Sequence, residues 1–168
     1  GRLIGIYFLI PLIFFSFKLG FSKVLNFYAI FFLICFQGFI GWYMVSSGLV
    51  ERIDVSHFRL SIHLLIAFII LSLILWNYLQ LKNISLSSQK LNNFTLLFFV
   101  FLIFTQIVLG AFVSGMDAGK IYNTWPLMGS SFFPDDSNFI KLFEISALSD
   151  PSLVQFMHRT MAYLILLF

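Results

Sequence analysis

Residues 94–113 read FTLLFFVFLIFTQIVLGAFV, twenty consecutive positions without a charged side chain. A helix needs ~20 mostly apolar residues to cross a bilayer hydrocarbon core of ~30 Å, where lipid offers the backbone no hydrogen-bond partners. Four further segments are similarly apolar: 3–19, 24–45, 58–81 and 153–168. The sequence therefore predicts an all-α fold, namely a polytopic transmembrane helical bundle.

The composition indicates a protein whose solvent is lipid. Of 168 residues, 60% are hydrophobic and only 10% are charged, which excludes an ordinary soluble globular domain. Because the first and last apolar segments reach the ends of the sequence, we expect an internal part of a longer protein that lacks both ends. The single cysteine, Cys35, lies in the middle of the second segment, so we expect a buried, inert thiol and no Cys-based metal motif.

The connectors between the segments differ in charge. Connectors 20–23 and 82–93 contain or adjoin four lysines and no acidic residue, whereas every Asp and Glu lies in connectors 50–56 and 114–151. Lys and Arg are enriched in the cytoplasmic connectors of membrane proteins. We therefore predict that the two basic connectors are cytoplasmic and that the long connector lies on the external face.

The connector 114–151 is too long for a simple turn. It carries Trp125, Phe132 and Phe133 among Gly, Asn and Pro residues. Aromatic residues are favoured at the membrane–water interface, so we predict a structured cap that lies there. An unstructured tether is the alternative, because connectors of this length are either functional or disordered.

Three histidines, His57, His63 and His158, lie near the ends of segments that meet the acid-bearing face. Ionisable residues inside membrane spans are costly and usually face a bundle interior, so His63 and His158 are functional candidates. His57 precedes its span, and we interpret it as a structural residue of the interface.

The surroundings of these two histidines share a pattern. An arginine lies nearby in each case, Arg59 and Arg159, and a small residue follows each histidine by four positions. A haem ligated by imidazole needs such clearance, and an arginine can donate hydrogen bonds to a propionate. The alternative is that both histidines only form hydrogen bonds between helices. Zinc is disfavoured because the histidines lack the spacing of a metal motif.

A second pattern, Gln-x-x-x-Gly, occurs at 37–41 and again at 106–110. Small residues let transmembrane helices approach closely, and Gln side chains form hydrogen bonds between them. The repetition indicates a duplicated architecture, although simple interhelical contacts would explain both copies.

Several longer motifs resemble the haem A synthase family, in its proteobacterial and mitochondrial branch. Residues 115–129 read GMDAGKIYNTWPLMG, and residues 155–159 read QFMHR, followed by Ala162 and Tyr163. Upstream, residues 37–49 and 55–64 are similar to the same family in the same order. The resemblance covers nearly the whole sequence.

The resemblance implies an eight-helix protein built from two four-helix repeats. Residues 1–93 would be three spans of the amino-terminal half, and residues 94–168 would be two spans and the external loop of the carboxy-terminal half. Each half would carry a pair of histidines at the external face.

The same resemblance implies roles for individual residues. His63 would be an axial ligand of the substrate haem, and His158 an axial ligand of haem b, with Arg59 and Arg159 beside them. The partner histidines would lie outside the sequence. The family's catalytic glutamate would precede Gly1, so no catalytic residue is assigned here.

The implied activity is that of a membrane oxidoreductase of the bacterial inner membrane. It would oxidise the ring methyl group of haem O to a formyl group, giving haem A for terminal oxidase assembly, although we expect this part alone to be inactive. Implied partners are haem O and its synthase, an electron-transfer partner and the lipid bilayer; homo-oligomerisation is left open. The loop residues Asp117, Asn123, Trp125 and Pro126 would shape a lid, or simply satisfy turn geometry.

Three other functional classes fit the residues less well. A non-enzymatic b-type cytochrome on the same scaffold would bind haem without altering it, and it remains the alternative. A transporter is disfavoured because the spans lack charges at the bilayer midplane. Nucleic-acid binding is unsupported, since the net charge of +3 comes from scattered lysines that flank the spans.

Overall fold

The computed structural model of the chain describes residues 2–48, 56–82 and 92–168. These ranges contain helices and turns and no strand, which confirms the all-α prediction. Five α-helices occur at the predicted places. They are α1 (Arg2–Leu19), α2 (Leu25–Gly48), α3 (His57–Leu81), α4 (Asn93–Gly115) and α5 (Pro151–Leu167).

Three of the helical segments are long and apolar enough to cross a membrane: Phe21–Ser46, His57–Leu81 and Asn93–Gly115. This confirms an integral membrane protein. The segment Leu3–Leu19 is a shorter apolar helix. Helix α5 has 17 residues, fewer than the ~20 that a span needs, so its crossing of the bilayer stays a prediction.

The described residues form two compact units. The first comprises α1, α2 and the part of α3 from Ile66 onward; the second comprises α3 up to Leu65, α4, α5 and the long connector. The predicted boundary between the two protein halves, at residues 93 and 94, concerns the repeat relationship and stays a prediction.

In the first unit, α1 and α2 form an antiparallel hairpin. Gly20 ends α1 with a φ of 88°, in the left-handed region that glycine adopts without strain. Leu12 and Ile30 are buried between the helices, and the hydroxyl groups of Ser16 and Tyr28 lie 2.8 Å apart.

The cysteine of α2 does not follow its prediction. Cys35 is exposed, so the expectation of a buried thiol was wrong. A residue in the middle of a span can face outward as readily as inward, because the whole surface of such a helix is apolar.

In the second unit, α5 packs against α4 and the connector. Leu153 and Val154 of α5 are 0% exposed, and Phe112 of α4 is also buried. Asp150 caps α5, because its carboxylate accepts hydrogen bonds from the N–H groups of Ser152 and Leu153. These contacts fix the start of α5, the helix that carries His158.

The connector between α4 and α5 is structured, as the aromatic residues predicted. Three short 3₁₀ segments lie within it: Ala118–Lys120, Phe139–Phe143 and Ile145–Ser149. Ala118, Met128 and Ala147 are buried and tie it to the helices. Its place at the membrane interface stays a prediction.

Candidate functional site

The ring of His158 lies against α4, where Gln106 and Gly110 face it. The Nε2 atoms of Gln106 and His158 are 3.4 Å apart. A Cβ atom added to Gly110 would lie 3.1 Å from Cε1 of His158, so only glycine leaves the ring its present room. His158, Gln106 and Gly110 are together called the His158 site. The Gln-x-x-x-Gly pattern at 106–110 thus has a local reason: the amide approaches the imidazole, and the glycine clears space for it.

Several polar atoms of α4 and α5 are buried without a hydrogen-bond partner among the described residues. They are Nδ1 of His158, Oε1 of Gln106, Oγ1 of Thr160 and the hydroxyl group of Tyr163. An unsatisfied buried group costs about 1–3 kcal/mol, so native proteins rarely keep several together without a ligand or water. A neutral imidazole is the commonest protein ligand for metals. The site therefore has the donor atoms and the unmet bonding capacity that fit a haem iron ligand.

Arg159 and Gln155, which flank His158 on α5, hold the connector segment 122–127. The guanidinium of Arg159 donates to the carbonyl groups of Tyr122 (2.7 Å) and Thr124 (2.9 Å). Gln155, only 4% exposed, donates to the same Tyr122 carbonyl (2.9 Å) and accepts from the Tyr122 N–H (3.3 Å). Arg159 was predicted to face a haem propionate; the structure gives it backbone carbonyl partners, and the propionate role stays a prediction.

A carboxylate network completes the attachment of the connector. Asp136 accepts hydrogen bonds from the hydroxyl groups of Ser152 (2.7 Å) and Tyr122 (2.9 Å), and both lower the pKa of the Asp136 carboxyl. The backbone N–H and the hydroxyl of Ser130 likewise lower the pKa of Asp135. Burial and the bond to Asp136 raise the pKa of the Tyr122 hydroxyl. Near neutral pH the carboxylates of Asp135 and Asp136 are therefore both ionised, and each accepts hydrogen bonds from neutral donors.

We expect acid to loosen this connector. Since both aspartates have pKa values below the ordinary value of about 3.9, their ionised form stabilises the fold above that pH, and the contribution is lost as the pH falls below it. Trp125 fluorescence, recorded in a variant whose other tryptophans are replaced by Phe, measures the transition. In the double variant Asp135→Asn and Asp136→Asn the transition should shrink, while Glu144→Gln should keep it. An unchanged transition in the double variant would assign it to other groups.

His57, at the start of α3, packs against the end of α4. Its ring meets Phe112 edge-on, with centroids 5.3 Å apart, and a Cβ atom on Gly115 would lie 2.9 Å from its Cα. These contacts support the interpretation of His57 as a packing residue. Arg59 lies in the first turn of α3 and His63 in the second, within the same compact unit as His158, and their assignment to a haem stays a prediction.

The catalytic glutamate that the resemblance implies is not among the residues that the structure brings together. It was expected before Gly1, and Gly1 itself lies outside the described ranges, which begin at Arg2. The placement of this glutamate stays a prediction, and no residue of the His158 site takes over its role.

Sequence reasoning missed Gln155, Tyr122 and Asp136 as residues that organise the site. Gln155 lies in the quoted motif QFMHR, and a glutamine three residues before the histidine was a usable signal. No three His, Cys, Asp or Glu side chains come together as a metal cluster within the ranges that the structure describes.

The close contact between Gly110 and His158 can be tested by substitution. Gly110→Ala should push the His158 ring by a few tenths of an ångström and alter the absorbance spectrum of any ligand bound to it. Gly38→Ala is the matched control, because a Cβ there meets nothing within 4 Å; it should be neutral or stabilising by up to about 1 kcal/mol, since alanine favours helix. Equal spectra for both variants would mean that Gly110 does not set the position of the ring.

The helices and the His158 site together define an integral membrane protein with a half-buried imidazole on the helix that holds a structured connector. The family model described as cytochrome oxidase assembly protein (COX15-CtaA) matches residues 1–168, and the chain belongs to this family. The family resemblance seen in the sequence motifs is thereby confirmed.

Individual relatives agree with the family assignment. The chain is 53% identical over 172 residues to the "Heme A synthase" of Pelagibacter ubique, covering 100% of this chain and 51% of that protein. The "Heme A synthase" of Rickettsia bellii is 46% identical over 175 residues, covering 97% and 50%. That of Ehrlichia canis is 40% identical over 171 residues, covering 99% and 49%. The chain spans about half the length of these curated relatives. No solved structure matches it.

Proposed function

We propose that the full-length protein is a haem A synthase. It oxidises the ring methyl group of its substrate, haem O, to a formyl group, and so provides haem A for terminal oxidase assembly. The observation that carries the proposal is the His158 site, where a half-buried imidazole faces a glycine and its buried Nδ1 has no partner among the described residues. The names of the relatives support the same activity.

Each proposed role rests on a residue of this chain. His158 would hold haem b through its imidazole, and His63, with Arg59 nearby on α3, would serve the substrate haem. When bound, haem b supplies electron transfer, whose potential depends on its axial ligands and on the burial of the site. The protein's own contribution at His158 is a fixed ring position, set by Gly110, and a neighbouring half-buried amide, Gln106.

The connector segment 122–127 serves as a lid over this part of α5. Arg159, the residue after His158, donates hydrogen bonds to the backbone carbonyl groups of Tyr122 and Thr124. These bonds hold the segment through its main chain and involve none of its side chains. A closed lid excludes water and strengthens the electrostatic interactions beneath it. This supports a lid role for the loop residues predicted from the sequence, which are Asn123, Trp125 and Pro126 within the segment and Asp117 before it.

The proposal includes a location for the protein and partners for its reaction. The lysine-flanked connectors support a protein of the bacterial inner membrane, with residues 114–151 on the external face. Residues 1–93 belong to the amino-terminal half and residues 94–168 to the carboxy-terminal half of a two-repeat protein. Because the methyl group loses electrons and protons and gains an oxygen atom when it becomes a formyl group, the reaction requires an oxygen source and a redox partner, and the synthase of haem O supplies the substrate.

Conversion of haem O tests the proposed function. The full-length protein is produced in a host that makes haem O but no haem A, and the extracted pigments are identified by mass. We expect haem A to appear together with protein-bound haem b. Haem b without haem A would identify a non-enzymatic b-type cytochrome instead.

A further inference from the structure

A cavity in the first compact unit has no part in the proposed haem chemistry. It has a volume of about 500 Å³ and is lined by α1, by the start of α2 with the turn before it, and by the carboxyl end of α3. Phe8 and Phe15 of α1, Phe27 of α2 and Leu81 of α3 are representative lining residues. His63 lies in the second turn of α3, whereas Leu81 is its last residue.

The lining of this cavity suits hydrocarbon. Apart from Lys23, its lining residues among the described ones are aliphatic or aromatic. The cavity is open on one side, since its lining residues Tyr7 and Leu81 are 76% and 73% exposed, so an apolar chain can enter it from the bilayer. An empty space forfeits the dispersion contacts of its walls, so an apolar chain that fills it is stabilised. In a bilayer the apolar chains at hand are lipid acyl groups.

The charges around the cavity select the kind of lipid. Lys23 lines the cavity directly, and two further lysines adjoin lining residues in sequence: Lys18 precedes Leu19, and Lys82 follows Leu81. Positions 1–50 and 55–116 of the sequence contain no Asp or Glu, so no carboxylate near these lysines in sequence neutralises them. Basic residues beside an apolar groove at a membrane surface attract anionic headgroups.

We propose that this cavity binds one acyl chain of an anionic phospholipid, whose headgroup lies at Lys23, Lys18 and Lys82. The site is on the side of the short basic connectors, and it is independent of whether the protein oxidises haem. An apolar segment of the longer protein is the competing occupant, and the experiment below distinguishes the two.

Lipid retention by the full-length protein tests the proposal. The protein is purified in detergent from membranes that contain phosphatidylglycerol and phosphatidylcholine, and the retained lipids are identified by native mass spectrometry. We expect wild type to retain phosphatidylglycerol in preference. The double variant Lys23→Gln and Lys82→Gln should lower that preference roughly 10-fold or more, since each lysine contributes about fivefold. Lys120→Gln is the matched control: its side chain, 78% exposed, lies in the long connector.

A cavity-filling variant keeps the test independent of the charges. Phe15→Trp adds bulk to the cavity wall and should reduce retention of both lipids, with haem content unchanged. The proposal is overturned if wild type retains no lipid, which would indicate a protein segment in the cavity. It is equally overturned if the two lipids are retained alike, or if the double variant behaves as Lys120→Gln does.

Discussion

Replacing His158 with alanine should abolish the haem b absorbance of the purified full-length protein. The substitution removes the imidazole that lies against Gln106 and Gly110 and leaves a cavity between α4 and α5. Mutation of residues that only support a metal ligand weakens binding about 10–100-fold, so loss of the ligand itself is expected to exceed about 100-fold. Reduced-minus-oxidised and pyridine-haem spectra, normalised to protein, measure the effect.

Two other histidines provide the comparison. His63→Ala should retain the haem b spectrum and lose haem A, because His63 is assigned to the substrate haem. His57→Gln should keep both, since the ring of His57 packs on Phe112 and has no assigned haem. If His158→Ala keeps full haem content while remaining monodisperse, the imidazole is an interhelical polar contact, and the assignment of the His158 site is wrong.

The helices could be predicted from the sequence because a bilayer restricts an apolar segment to very few backbone conformations. A long run of apolar residues such as 94–113 must satisfy its backbone hydrogen bonds internally, and α4 covers that run from Asn93 to Gly115. The direction in which one residue faces is a different matter. Cys35 lies on a helix that is apolar all round, so its sequence does not distinguish the buried face from the exposed face, and the prediction of burial failed.

The candidate site was only partly visible in the sequence for a similar reason. His158 could be selected because a histidine inside a span is costly. Its neighbours Gln106 and Gly110 lie on another helix, 52 and 48 positions away, and only the packing of α4 on α5 brings them together. The hydrogen-bond partners of Arg159 could not be predicted from the sequence, because they are backbone carbonyl groups, which every residue carries. A pattern of side chains predicts which groups can bind, but the fold determines what they meet.

Arg159 can act on the lid or on a haem propionate, and two substitutions separate these roles. Its guanidinium donates through Nη1 and Nη2 to carbonyl groups of Thr124 and Tyr122, a geometry that one lysine ammonium cannot reproduce. If Arg159 holds the lid, Arg159→Gln and Arg159→Lys should both loosen it. Loss of a charge-assisted hydrogen bond costs about 2 kcal/mol, or roughly a 30-fold rise in the open population.

Hydrogen exchange at the Tyr122 amide reports on the lid directly, because that N–H donates to Gln155 beside Arg159. We expect faster exchange in both Arg159 variants and no change in Lys120→Gln, whose lysine pairs with Asp117 in the same connector. A propionate role predicts a different result, since a lysine retains the positive charge. Arg159→Lys would then keep the haem b content and the reduction potential of haem b, whereas Arg159→Gln would lose both. Hydrogen exchange at the Tyr122 amide would be unaltered in both variants. The backbone partners of Arg159 favour the first result, in which Arg159 holds the connector segment 122–127 as the proposed lid.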